Sequence, residues 1–436
     1  MSQEYRQPAL PTRRTGRILL GVWAVLTLSQ LGFVLQYGHN QPWADEWEFV
    51  PTLTGHEPYD AFYFQPHNEH RLPQPRAIYL GLWSLTQDFR SGMVLQVVLL
   101  ALMALRGMQL AERLRGRVDW ADAFFPLSLL HVGHCENLLM GYQLCFVLAA
   151  GFAFGVLELA VRWTPENGPR TALLAALATL SLCLCGGFGI VLAGPTGLRT
   201  LLLIARNGTR SLFSTAAVIG ILGSALVYLV FVFSTYQRPP DHPPFRLENW
   251  SASLQVAGQF LAVSFGIGTG IIWFAVLPLI GVAAGIAARE LRQFPRSYAV
   301  GIAAVAVGVI LLSLAVGIGR GGFNSQMGLW PRYSVLGWPL LAAIVLASAN
   351  HRWLPRALAS AALLAFVPNT IHGVEYGARH DAWLSAIETD VRNGRPPEEM
   401  IEDWLKGTGQ EARALRGIPM LRAANIGPFS RGRVSR

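Results

Sequence analysis

The sequence predicts an all-α polytopic membrane protein. It has about eleven transmembrane helices, a long polar outside loop after the first of them, and a small extramembrane C-terminal tail. Three observations predict this. Of the 436 residues, 52% are hydrophobic and only 14% are charged, whereas soluble domains carry about 25% charged residues. The apolar residues come in long runs, and a helix needs about 20 of them to cross a bilayer core. The arginines punctuate those runs in alternate loops, which is the positive-inside pattern.

The expected spans are 17–36, 89–110, 120–133, 141–161, 171–187, 189–205, 211–234, 268–288, 298–318, 333–349 and 357–372. The first follows Arg13, Arg14 and Arg17. It is too long for a signal-peptide core and lacks a small-residue cleavage site, so it reads as a span. The stretch 253–265 reads as a re-entrant or surface helix leading into the eighth span. Residues 76–88 are too short to cross. They place Arg76, Tyr79, Leu80, Trp83 and Gln87 on one face, as in an interfacial helix. The membrane domain then covers 1–372, with the polar loop at 37–88, and the tail covers 373–436. The tail reads as helices near 378–393 and 397–406 and a loose end, "IGPFSRGRVSR".

With the N-terminus inside, one set of arginines falls on one side: Arg6, Arg13, Arg14 and Arg17, then Arg106, Arg113, Arg115 and Arg117. Arg162, Arg170, Arg206, Arg210, Arg289, Arg292, Arg296, Arg352 and Arg356 join them. The opposite side receives loops 37–75, 131–141, 235–252 and 319–332 and the tail. The net charge of +9 is scattered and forms no stripe, so a nucleic-acid partner is excluded. Four cysteines without a CxxC pair argue against a disulfide framework or zinc site.

The outside loops hold the chemistry. "WADEWEF" sets Asp45 and Glu46 between aromatics, where burial would raise a carboxylate's pKa and make it a usable base; the alternative is a solvated acidic loop. "HNEHR" holds His67, Asn68, Glu69, His70 and Arg71. It reads as hydrogen-bonding recognition of a polar substrate, as a metal cluster, or as a polar loop packed on its neighbours. Its spacing matches no helical zinc motif. Glu136 and Asn137 stand at a helix start, suited to capping or to substrate contact. Arg320 and Arg332 flank the glycine-rich "GRGGFNSQMGLWPRYS", and arginine forks bind phosphate oxygens bidentately.

Together, "ADEWEF" in the first outside loop, "HNEHR", "ENLLMGYQ", "GRGG…PRYS" and "IGPF" resemble the glycosyltransferase C superfamily, in a little-characterised bacterial branch. The resemblance implies a donor sugar carried on polyprenyl phosphate and transfer on the periplasmic side. Asp45 matches the acid assigned as catalytic base, with Glu46 its neighbour. The chain departs from the better-known pattern in that Trp47 follows the pair. No second Asp stands in the next outside turn, where Glu136 is the candidate.

The expected function is therefore a membrane glycosyltransferase (EC 2.4 class) of the bacterial inner membrane, with the N-terminus cytoplasmic and the C-terminus periplasmic. Asp45 and Glu46 are the catalytic pair. His67, Asn68, Glu69, His70, Arg71, Glu136 and Asn137 contact substrate, and Arg71, Arg320 and Arg332 bind phosphate. The acceptor is a saccharide, lipid or protein, and membrane lipids surround the chain. No metal ligand is assigned and no cofactor is certain, though a divalent metal stays open. The alternative is a transporter or flippase of a lipid-linked saccharide.

Overall fold

The computed structural model describes residues 13–164, 166–207, 212–239, 242–244 and 247–430. Arg6, Arg210 and the last part of the expected loose end, 431–436, lie outside the described residues. Within them the chain is helical, without a strand. In chain order the longer helices are α1 (Arg13–Tyr37), α2 (Pro73–Thr86), α3 (Arg90–Arg115), α4 (Leu144–Val161), α5 (Gly168–Cys183), α6 (Gly187–Asn207) and α7 (Leu212–Ser234). They continue with α8 (Trp250–Ala262), α9 (Trp273–Glu290), α10 (Arg296–Arg320), α11 (Tyr333–Ala347), α12 (Leu354–Arg392) and α13 (Glu411–Ala424).

Among the described residues, eight of these are long and apolar enough to cross a membrane: α1, α3, α4, α6, α7, α9, α10 and α12; α5 and α11 are apolar but shorter. Val25, Leu28, Val227, Phe274, Leu279 and Leu364 stand exposed along the long helices. Large apolar side chains exposed at this density suit contact with lipid.

The expected span 120–133 is not a helix. A six-residue helix, Phe124–Leu129, lies between 3₁₀ turns at Trp120–Ala123 and Val132–His134. Asp119 caps the first turn by accepting from the Ala121 N–H, and Asp122 pairs with the Arg115 guanidinium. Six helical residues reach only about 9 Å, far less than the hydrocarbon core. The broken stretch still carries the chain from one end of the bundle to the other. Asp119 meets Arg356 near the start of α12, and Gly141 lies against Gly92 near the start of α3. Irregular backbone at membrane depth survives only when enclosed in protein with its polar groups paired. Here Leu129, Leu130, His131 and His134 are buried. The Gln30 amide donates to the carbonyls of Leu129 and His131, at 3.0 and 3.1 Å, and His134 Nδ1 meets Ser334 Oγ at 2.7 Å.

A second break separates α8 from α9. The 13 residues of α8 extend about 20 Å and do not cross alone. The chain bends at Gly266, where φ is 101°. Asn369 of α12 fastens the bend, accepting from the Gly268 N–H at 2.7 Å and donating to the Phe265 carbonyl at 2.8 Å. A Cβ on Gly266 would fall 2.2 Å from the Asn369 side chain, so both space and dihedral require glycine there.

The expected helices 357–372 and 378–393 are one, the 39-residue α12, so the boundary drawn at 372 falls inside a helix. Gly373 and Gly377 do not interrupt it; they admit close neighbours, the Val132 carbonyl and the Phe33 and Tyr37 rings. Past it, Pro397–Met400 and a π turn at Ile401–Leu405 occupy the expected 397–406 helix, and α13 was not expected. The described part of the loose end is packed: Ile426 and Phe429 are buried, and Gly427 lies against the Asn40 carbonyl. On α2 the expected face is buried from Arg76 to Trp83, while Gln87 leaves the helix at φ 55°.

Candidate functional site

The acidic stretch forms a 3₁₀ helix, Ala44–Phe49. In that geometry positions three apart eclipse one another. Asp45 and Glu48 therefore project together, and both reach His67. Glu48 Oε2 lies 2.7 Å from His67 Nδ1, and Asp45 Oδ2 lies 3.6 Å from Nε2. Glu46 points the other way, fully buried, and accepts from Tyr79 Oη (2.7 Å), the Trp43 N–H (3.0 Å) and the Tyr142 N–H (3.3 Å). Behind Glu48 sits Arg76, inaccessible to solvent. It donates to the carbonyls of Phe62 and Gln65, at 2.7 and 2.6 Å, and to Glu48 at 3.4 Å. From above, Arg413 of α13 reaches Glu48 at 2.5 Å and Asp45 at 3.8 Å.

"HNEHR" is a tight turn. His67 and His70 exchange both backbone hydrogen bonds, at 2.7 and 2.8 Å, and Asn68 takes a positive φ of 49°, which asparagine tolerates. At its tip Glu69 pairs with Arg320 at 2.6 Å, and His70 and His242 each approach Glu69 to 3.4 Å. The "CGGFG" stretch (185–189), where α5 gives way to α6, lies against this turn: a Cβ on Gly187 would fall 2.6 Å from the His70 ring. Gly187→Ala is thus expected to destabilise the protein by about 1–3 kcal/mol through overpacking. Thermal unfolding in detergent checks this, and an unchanged midpoint would refute the contact.

These loops enclose one cavity of about 500 Å³. Asp45, His67, Asn68, Glu69, His70, Arg320 and Arg332 line its polar part, and Phe146, Phe188, Leu312, Val316 and Leu336 its apolar part. Four expected site residues do not line it. Glu46 faces Tyr79. Glu136 pairs with Arg332 at 3.4 Å, and Asn137 donates to the Arg332 carbonyl at 3.3 Å, so both stand behind that arginine. Arg71 turns to the far side of the turn, where it donates to the Phe64 carbonyl and to Thr235 Oγ1 and lines a separate cavity of about 220 Å³. Residues the sequence reading did not single out for the site are Glu48, Arg76, His242 and Arg413. Glu48 carried a signal, its spacing of three from Asp45; Arg413 carried none.

The electrostatics reverse one expectation. Burial works to raise the Asp45 carboxyl, but His67, Arg332 and Arg413 outweigh it, and the net direction is down. Glu46 is the acid that burial pushes up, to about 7. Burial also opposes charge on His67, yet the hydrogen-bonded Asp45 and Glu48 carboxylates override it and raise the imidazole to about 9. Burial takes His70 the other way, down to about 4. A histidine raised on folding stabilises fully below its unfolded value of about 6.5. That stability is lost as pH rises through the folded value. Wild-type protein should therefore lose thermal stability from about pH 6.5 to 9 relative to a His67→Gln variant. Parallel unfolding profiles of the two would refute the assignment.

Among the described residues no three His, Cys, Asp or Glu side chains gather in a set suited to a metal ion. No family model matches the chain, and no curated protein or solved structure matches it either.

Proposed function

We propose that the chain is a membrane glycosyltransferase that moves a sugar from a polyprenyl-phosphate carrier to an acceptor hydroxyl on the periplasmic side of a bacterial inner membrane. One observation carries this reading: a carboxylate, a hydrogen-bonding turn and two arginines share a cavity with an apolar wall. A lipid-linked sugar has those needs in one molecule: hydroxyls, a phosphate and a hydrocarbon chain.

In an inverting transfer the acceptor oxygen attacks the anomeric carbon, and Asp45 takes its proton. The bond from that carbon to the phosphate oxygen breaks, and its electron pair leaves with the lipid phosphate. That group is stable as an anion and needs no strong acid. Arg332, stacked on Trp330 at 3.8 Å, and Arg320 offset its developing charge. His67 orients Asp45, and Asn68, Glu69 and His70 hold hydroxyls. Asp45's lowered pKa makes it a weak resting base. Arg413 is one cause of that lowering, so an acceptor that displaces Arg413 strengthens the base as it binds.

The test is reconstituted protein given a panel of radiolabelled polyprenyl-phosphate sugars and an envelope acceptor fraction. Label is expected in the acceptor, with free polyprenyl phosphate released in equal amount. The break at Gly266 favours the alternative, a transporter or flippase, because discontinuous helices recur in such proteins. Movement of intact carrier between leaflets without any transfer would establish that alternative and end the glycosyltransferase reading.

A further inference from the structure

At the end of the bundle away from the acidic cavity lies a second cavity, of about 270 Å³. It is built where α3 runs out and where α12 begins. Arg115, Arg117, Arg352 and Arg356 line it, with Asp119 as the lining carboxylate. Asp119 is engaged with Arg356 at 2.8 Å. The Arg115 side chain is only 7% exposed, and Asp122 pairs with its Nη2. Its Nε and Nη1 have no hydrogen-bond partner among the described residues. Buried guanidinium N–H groups without an acceptor are costly. Arg117 and Arg352 add two exposed cations with no ion pair among the described residues. His351 Nδ1 accepts the Leu354 N–H at 3.2 Å, which leaves its Nε2 as a donor. Trp120 and Trp353, both more than half exposed, stand next to the lining residues in the chain, and exposed tryptophans favour the headgroup level of a bilayer.

We propose that this pocket is a phosphate-binding site distinct from the sugar-transfer cavity. It takes a phosphate ester through the Arg115 fork and the Arg117 and Arg352 guanidinium groups. Several unpaired donors converge there with a net positive charge, and planar guanidinium forks match phosphate oxygens. The phosphate comes either from an anionic lipid headgroup or from a free ion. The proposal does not depend on the activity assigned to the other end.

Full-length protein, delipidated in detergent, is titrated in three arms: micelles containing phosphatidylglycerol, micelles containing phosphatidylcholine, and inorganic phosphate. Thermal unfolding and lipid retained in native mass spectrometry are the readouts. Stabilisation by phosphatidylglycerol alone identifies a lipid phosphate, and equal stabilisation by inorganic phosphate identifies the free ion. Arg117→Gln with Arg352→Gln should weaken binding about 30-fold, since each cation near an anionic surface contributes a factor of about five. The exposed pair Arg289→Gln with Arg292→Gln removes the same charge outside the pocket and should leave binding unchanged. No stabilisation in any arm, or equal losses in both double variants, would overturn the site.

Discussion

Asp45→Asn is expected to cut sugar transfer about 10²- to 10⁴-fold, the usual contribution of a general base. The fold should be retained, because the amide is nearly isosteric. Asp45 lines the cavity while Glu48 keeps its 2.7 Å contact to His67. The discriminating comparison is Glu46→Gln. Glu46 faces Tyr79, away from the cavity, so its replacement should act on stability more than on turnover. Initial rates of the two purified variants against wild type decide the matter. Full activity in Asp45→Asn would remove Asp45 as base, and a larger turnover loss in Glu46→Gln would reassign the role.

The largest effect on stability is expected from Arg76→Ala. Arg76 is fully buried, ties two carbonyls of the first loop and faces Glu48. Its guanidinium also lies 4.3 Å from the Phe62 ring centre. Removing one partner of a buried pair costs about 3–5 kcal/mol, because the other charge and its acceptors stay buried without compensation. Arg76→Lys should restore little, since an ammonium cannot span both carbonyls and the carboxylate. Thermal unfolding in detergent measures both variants. A midpoint within a degree of wild type for Arg76→Ala would contradict the buried network.

Most of the long helices were legible because a helix that meets lipid must be apolar along its length. The 120–133 stretch is also rich in apolar residues, but past Trp120 most of it is buried in protein, and hydropathy cannot tell those environments apart. The arginine pattern placed the polar loops at one end, and this made the meeting of loops 37–75 and 319–332 foreseeable. Within the acidic stretch, adjacency drew attention to Asp45 and Glu46, whereas a 3₁₀ turn pairs Asp45 with Glu48. The boundary drawn at 372 falls inside α12, where Gly373 and Gly377 serve close packing. Arg413 reaches the site across more than three hundred residues, and no local pattern marks such a contact.

That long reach bears on how the protein is made. Arg413 balances Glu48, Gly417 brings α13 close against the Trp47 ring, and Gly427 seats on Asn40. The loop that follows α1 is therefore finished by residues more than three hundred positions further along the chain. Chains fold from the N-terminus as they emerge, so the acidic turn is made long before its covering cation. Formation of the long helices and completion of the acidic loop are separate events in biogenesis, and the second waits for α13.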